Sequence, residues 1–273
     1  MMKTSFSTLG CPSWNFSQIL RAAVDYGYDG VEFRTVCGEV DLWKLSDFQP
    51  SALARTRKHI EGAGILVSCV DTSACFHSPG VAERKGNVDL ALRMAEIAAE
   101  LGAPAIRVFG DRIQPGCSRE DTAKWIADSL TELAEQLRPE NIEVWLETHG
   151  DFAAASDVCS ILDKTDDESI GVIWDPANAF AQTGDKPVIA AEMADRVRHV
   201  HLKDLRRNVQ STPDYVLVGQ GEFPFETMFE SLVQIGYEGF VSFEWEKHWH
   251  PELASPEVAL PNFIEWWKRR EAN

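Results

Sequence analysis

At 273 residues, 44% of them hydrophobic, the chain is long enough to bury the core of one large α/β domain. A formal net charge of -17 argues against a surface that grips a nucleic-acid backbone, which rests on clustered Lys and Arg, but leaves room for a small anionic substrate. No stretch joins a basic region, an apolar run and a cleavage site, nowhere do about 18 apolar residues run together, and the scattered cysteines form no CxxC; a soluble, cytoplasmic protein with reduced thiols is expected.

In chain order, Phe6 to Gly10 predicts a first strand, and Ile19, Leu20, Ala23 and Val24 mark a helix face that ends at Gly27. Gly30 to Arg34 is a second strand, and a helix from about Ser51 to Glu61 leads to a third, Ile65 to Asp71. Val88, Leu92, Ala95, Ile97, Ala98 and Leu101 keep helical spacing up to Gly102-Ala103-Pro104, where two breakers stop the helix. Ala105 to Gly110 is strand four; Ser118 to Leu137 is a helix whose opening fits a capping pattern only loosely.

Four later strands share one design, an apolar run that ends abruptly in a polar group. Strand five ends at Glu147, strand six at Asp175, strand seven at His201 and strand eight at Glu244, with helices at about Ala153 to Leu162, Pro187 to Met193, Pro224 to Ile235 and Pro256 to Arg270. Strand starts lie roughly 25 to 40 residues apart, the length of a βα unit. Near-continuous apolar strands imply a parallel sheet covered by helices, and eight such units predict a single closed (β/α)8 TIM barrel over residues 1–273. An open doubly wound sheet is the alternative, but no glycine fingerprint follows the first strand.

In such a barrel the carboxyl ends of the strands form the active-site face. Glu147, Asp175, His201 and Glu244 would then surround one point, a hard, oxygen-rich set suited to one divalent metal ion, Mn2+, Mg2+ or Co2+ before Zn2+. A lone carboxylate at a strand end is more often a helix cap or ion-pair partner, and a lone buried His a satisfied core residue; four in succession are harder to dismiss. Glu246 competes with Glu244 because both lie on one strand face. On strand seven His199, His201 and Lys203 share a face. Candidate substrate contacts are His149, Asn178, Lys203, Arg206, Glu32 and Trp14; the rival reading of Glu32 is a pair with Arg34 or Arg107.

The motifs Gly27-Tyr28-Asp29-Gly30-Val31-Glu32, Leu146-Glu147-Thr148-His149-Gly150, Trp174-Asp175-Pro176-Ala177-Asn178, His199-Val200-His201-Leu202-Lys203-Asp204, Gly219-Gln220-Gly221-Glu222 and Gly236-Tyr237-Glu238-Gly239 leading to Glu244 run through nearly the whole chain. In them the chain resembles the sugar phosphate isomerase/epimerase family of xylose-isomerase-like barrels, which also includes tagatose epimerases, hydroxypyruvate isomerases and inosose dehydratases. The resemblance implies a divalent metal held by Glu147, Asp175, His201 and Glu244, with Glu147 and Glu244 as the acid/base pair acting on a ketose, ketose phosphate or small hydroxyketone through an enediolate. Many relatives carry His three residues after the strand-six Asp; Asn178 stands there and cannot carry a proton at neutral pH. The rival functions are a lyase acting on a ketocyclitol or 3-keto-sugar, an endonuclease of abasic sites sharing the barrel, and a non-catalytic sugar-binding barrel. The expected partner is a small-molecule carbohydrate; an exposed Trp249 or Trp266 could also serve a homo-oligomer contact.

Overall fold

In the computed structural model, residues 2–208 and 212–272 are described. In chain order the strands are β1 (Lys3–Ser7), β2 (Gly30–Phe33), β3 (Leu66–Cys75), β4 (Ala105–Phe109), β5 (Glu143–Glu147), β6 (Ile170–Trp174), β7 (Val197–Leu202), β8 (Asp204–Arg206), β9 (Asp214–Val216) and β10 (Phe240–Phe243). All but β8 and β9 are parallel neighbours in a closed barrel, β10 pairing with β1 to shut it. The helices are α1 (Phe16–Tyr26), α2 (Pro50–Gly62), α3 (Val81–Leu101), α4 (Arg119–Leu137), α5 (Ala155–Leu162), α6 (Pro176–Thr183), α7 (Phe225–Gln234) and α8 (Pro256–Glu271). The expected (β/α)8 barrel is therefore the fold.

Local chemistry fixes the element ends. Asn15 and Gln18 close a capping box at the start of α1, and Gly27 ends that helix with φ 84°, a conformation only glycine adopts without strain. Ser118 accepts from the Asp121 N–H at 3.0 Å, a genuine N-cap where the sequence suggested a loose one. The first strand lies earlier than expected, because Ser7 caps a short 3-10 turn at Thr8–Gly10. The helix expected from Pro187 to Met193 is not formed; a 3-10 turn occupies Ala191–Arg196, and α6 forms directly after β6 instead. Asp175 caps α6, Pro176 suits its first turn and Gly184 ends it at φ 79°. Strand eight of the barrel, here β10, stops at Phe243, one residue before Glu244.

Two apolar clusters lie on opposite faces of the sheet. The large one fills the space between the barrel and its helices, with Phe243 and Phe263 stacked at 5.0 Å and Tyr28 donating to the Leu260 carbonyl at 2.9 Å. Inside the barrel, among the described residues, Cys69, Ala105, Trp145 and Ile173 form the second, small cluster. The rest of the lumen's buried side chains are polar: Ser5, Glu32, Asp71, Arg107, Glu147, His199, His201 and Ser242. Buried polar groups are costly unless paired; Glu32 is bonded to His199 and His201, and Arg107 to Glu147, whereas the Ser5 and Ser242 hydroxyls and both Asp71 oxygens have no hydrogen-bond partner.

Candidate functional site

The network starts on β2 and β7. Glu32 is fully enclosed, and its carboxylate oxygens accept from His199 Nε2 at 2.6 Å and His201 Nε2 at 3.0 Å. A carboxylate only accepts, so each ring carries its proton on Nε2 and turns the Nδ1 lone pair away. His201 Nδ1 has no hydrogen-bond partner, yet lies 3.5 Å from Glu244 Oε1, 3.7 Å from Glu147 Oε1 and 3.9 Å from Asp175 Oδ2. These four atoms all fall within 4.8 Å of one another, and every residue that supplies one is buried.

Each carboxylate of this group spends its other oxygen elsewhere. Arg107 Nη1 donates to Glu147 Oε2 at 2.7 Å, and Lys203 Nζ to Glu244 Oε2 at 2.6 Å. Asp175 Oδ1 accepts the N–H groups of Ala177 and Asn178 at the start of α6. Lys203 Nζ also lies 2.8 Å from Asp175 Oδ2 and donates to Glu246 Oε1 at 2.7 Å. Burial pushes the Glu147 and Glu244 carboxyls up, but Arg107 with His201, and Lys203 with His201, outweigh it and hold both below the usual range. For Asp175 burial prevails over Lys203 and raises the group to about 6. Burial pushes the His201 ring down, and Glu32, Glu244 and Glu147 more than reverse that. The field that favours a proton on His201 is one that would also draw a divalent cation among three carboxylate oxygens and an imidazole nitrogen. The residues present fit such an ion.

Above this point opens a cavity of about 270 Å3. Its walls include Glu147, Glu244, Glu246, Lys203, His149 and Asn178, and also Leu9, Arg34, Arg107, Phe109, Tyr215 and Trp249. The His149 ring lies tilted against Phe109 with ring centroids 4.7 Å apart, its Nδ1 3.4 Å from Asp111 Oδ1. Asn178 Nδ2 donates to the Thr148 carbonyl at 3.0 Å, which fixes the amide plane at the cavity wall.

Of the sequence candidates, Glu147, Asp175, His201 and Glu244 converge, and His149, Asn178 and Lys203 line the cavity. Between the competing glutamates, Glu244 turns an oxygen to His201, whereas Glu246 meets Lys203. Three candidates lie elsewhere. Glu32 is sealed beneath the group and pairs with the two histidines, not with Arg34 or Arg107. Trp14 is 8% exposed and packs in the outer apolar cluster. Arg206 is exposed on β8 and donates to the Gln220 carbonyl at 2.8 Å. Trp266 packs against Phe225, its ring centroid 4.8 Å away, whereas Trp249 is exposed at the cavity rim.

Sequence reasoning missed Tyr215, and took Arg34 and Arg107 only as partners for Glu32. Arg107 sits between apolar residues in β4, an alternation that marks an inward charge; nothing local marks Tyr215, on the short β9. Asp204, on the opposite face from Lys203, anchors the following loop. Its carboxylate accepts the N–H groups of Leu205, Gly219, Gly221 and Phe223. A Cβ on Gly221 would lie 2.0 Å from Asp204 Oδ1, so the loop can close on the carboxylate only there being glycine.

A family model described as the xylose isomerase-like TIM barrel matches residues 20–270. An inosose dehydratase of Clostridium beijerinckii is 25% identical over 186 residues, 58% of this chain and 61% of that protein. A 2-oxo-tetronate isomerase of Haemophilus influenzae is 23% identical over 172 residues, 60% of this chain and 63% of that protein. The chain thus spans about three fifths of the length of these curated relatives. Among solved structures, an IolI protein with a bound zinc atom superposes with a TM-score of 0.78 at 19% identity, over 98% of this chain and 96% of that one.

Proposed function

Because this chain belongs to the xylose isomerase-like TIM barrel family, we propose that it is a divalent-metal-dependent isomerase or epimerase of a small ketose or hydroxyketone. The observation that carries this reading is the partnerless His201 Nδ1 facing one oxygen each from Glu147, Asp175 and Glu244. These four residues would hold the ion. When bound it would supply Lewis-acid polarisation of a substrate carbonyl, which eases loss of the neighbouring proton. Residues 1–273 are taken as one catalytic domain, and a small carbohydrate as its partner.

The chain's own groups account for the proton transfers. Glu147 and Glu244 are held ionised by Arg107 and Lys203, so either can take a proton from the carbon beside the carbonyl. The carboxyl that has taken the proton can return it to the neighbouring carbon, giving isomerisation; delivery to the opposite face, giving epimerisation, needs the second carboxylate first to take up a proton from solvent. Lys203, with its proton held well above the usual lysine range by Asp175, Glu244 and Glu246 against burial, stays cationic and balances the negative enediolate. Asn178 and His149 on the wall are suited to orient hydroxyls.

The similarity to an inosose dehydratase favours a second reading, in which the same proton abstraction is followed by loss of water. Deuterium uptake from D2O into a panel of ketoses, hydroxyketones and inososes, with Mn2+ supplied and an EDTA-treated control, tests both. Metal-dependent uptake without water loss is the expected result; uptake with a dehydrated product would select the second reading. Glu147→Gln and Glu244→Gln are each expected to lose about 100-fold to 10000-fold in turnover. Full turnover of both variants with metal still bound would sink the acid/base assignment.

A further inference from the structure

We propose that the cavity takes a short hydroxyketone that also bears a carboxylate, and that Arg34 receives that carboxylate. The proposal rests on the reading above and narrows its substrate class.

Three cations line the cavity: Arg107, Lys203 and Arg34. Arg107 and Lys203 each have a carboxylate oxygen within 2.7 Å. Arg34 differs. It is 6% exposed, Nη2 donates to Ser73 Oγ at 2.9 Å, and Nη1 is buried without any hydrogen-bond partner. Among the described residues no ion pair joins it to a carboxylate; Asp71, Glu147 and Glu244 act on it only at longer range, against the repulsion of Arg107.

The position of Arg34 is fixed. Immediately after β2, the backbone N–H groups of Arg34 and Thr35 both donate to Thr8 Oγ1, at 2.8 and 2.9 Å, so the chain cannot swing out to solvent here. A guanidinium buried without a counter-ion is costly, and an anion delivered by the ligand removes that cost through a charge-assisted hydrogen bond. With one arm bound to Ser73 and the other partnerless, Arg34 has a donor left for an anionic oxygen, which a carboxylate supplies. A cavity of about 270 Å3 accommodates a short chain.

The test is calorimetric titration of the Mn2+-loaded full chain with D-glycerate and with its uncharged counterpart glycerol, in wild type, Arg34→Gln and Arg34→Lys. Glycerate is expected to bind about tenfold or more tighter than glycerol in wild type. Arg34→Gln should erase that preference while metal affinity and melting temperature hold, and Arg34→Lys should keep part of it. Equal binding of the two ligands by wild type would overturn the proposal, a result that needs no variant to fold. So would a preference that survives Arg34→Gln but disappears with EDTA, since the carboxylate would then sit on the ion. Deuterium exchange into dihydroxyacetone and hydroxypyruvate separates this from the wider reading. Exchange without a glycerate preference leaves the isomerase standing and removes the carboxylate site; an Arg34-dependent preference without exchange in any compound does the reverse.

Discussion

Glu32 has no exposed atom, yet its two oxygens set the proton position on both His199 and His201. A carboxylate behind a ligating imidazole fixes its tautomer and raises its basicity, and removing such a partner costs about 10-fold to 100-fold in metal affinity. Glu32→Gln should weaken Co2+ binding by that factor, read from the absorbance of the Co2+-loaded protein; unchanged affinity would remove Glu32 from the metal reading. The stability of the rim depends on pH through Asp111. The His149 ring and then Arg112 pull its carboxyl down to about 2, against burial. Because the folded value lies below the ordinary one, near 4, the stabilisation is complete above about pH 4 and is lost as pH falls toward 2. Asp111→Asn should flatten the fall in urea-unfolding free energy over that window, and an identical pH profile would rule the pairing out. Apart from Arg112 beside Asp111, these partnerships are not local in sequence. Glu32 and His199 stand 167 positions apart, so which inward charge meets which was not legible, and Arg34 could not be told from the paired cations.

Elements were legible where a period or a breaker ran long enough. Strands β5, β6 and β10 are largely apolar runs followed or closed by a polar residue, and β7 sets its two histidines at alternate positions; those patterns both located the strands and pointed to Glu147, Asp175, His201 and Glu244. The ribbon of β8 and β9 has three residues in each strand, too few to show an alternation. Helix α6 escaped for a different reason. Asp175-Pro176 is a helix start, but the carboxylate had been given to a metal, and the two roles use different oxygens. At this scale the caps can be tested. Ser118→Ala removes the acceptor of the Asp121 N–H and should lower unfolding free energy by about 1 kcal/mol, with no change in turnover. Asp204→Ala strips four N–H groups of their acceptor and should speed amide hydrogen exchange at Gly219, Gly221 and Phe223. Unaltered exchange would mean that the ribbon, not the carboxylate, holds this loop.

For the molecule as a whole, an ion bound only by the folded state adds stability by mass action, about 2.7 kcal/mol when its free concentration is 100 times the Kd. Melting temperature should therefore rise with Mn2+ and fall back with EDTA, and Asp175→Ala should abolish the dependence; a melting temperature indifferent to metal would count against the site. Among the described residues no helix is long and apolar enough to cross a membrane, as composition had suggested. The division of the sheet into an apolar outside and a polar inside has a further consequence, for substitution. Exchange among aliphatic and aromatic side chains in the outer layer alters packing, which tolerates such swaps at modest cost, while the inner wall is constrained by charge and hydrogen bonding and changes only in matched sets. Aliphatic exchanges in the layer that holds the cylinder together should therefore cost little, whereas a single exchange on the layer that faces its axis strands a partner and should be repaired only by a second one.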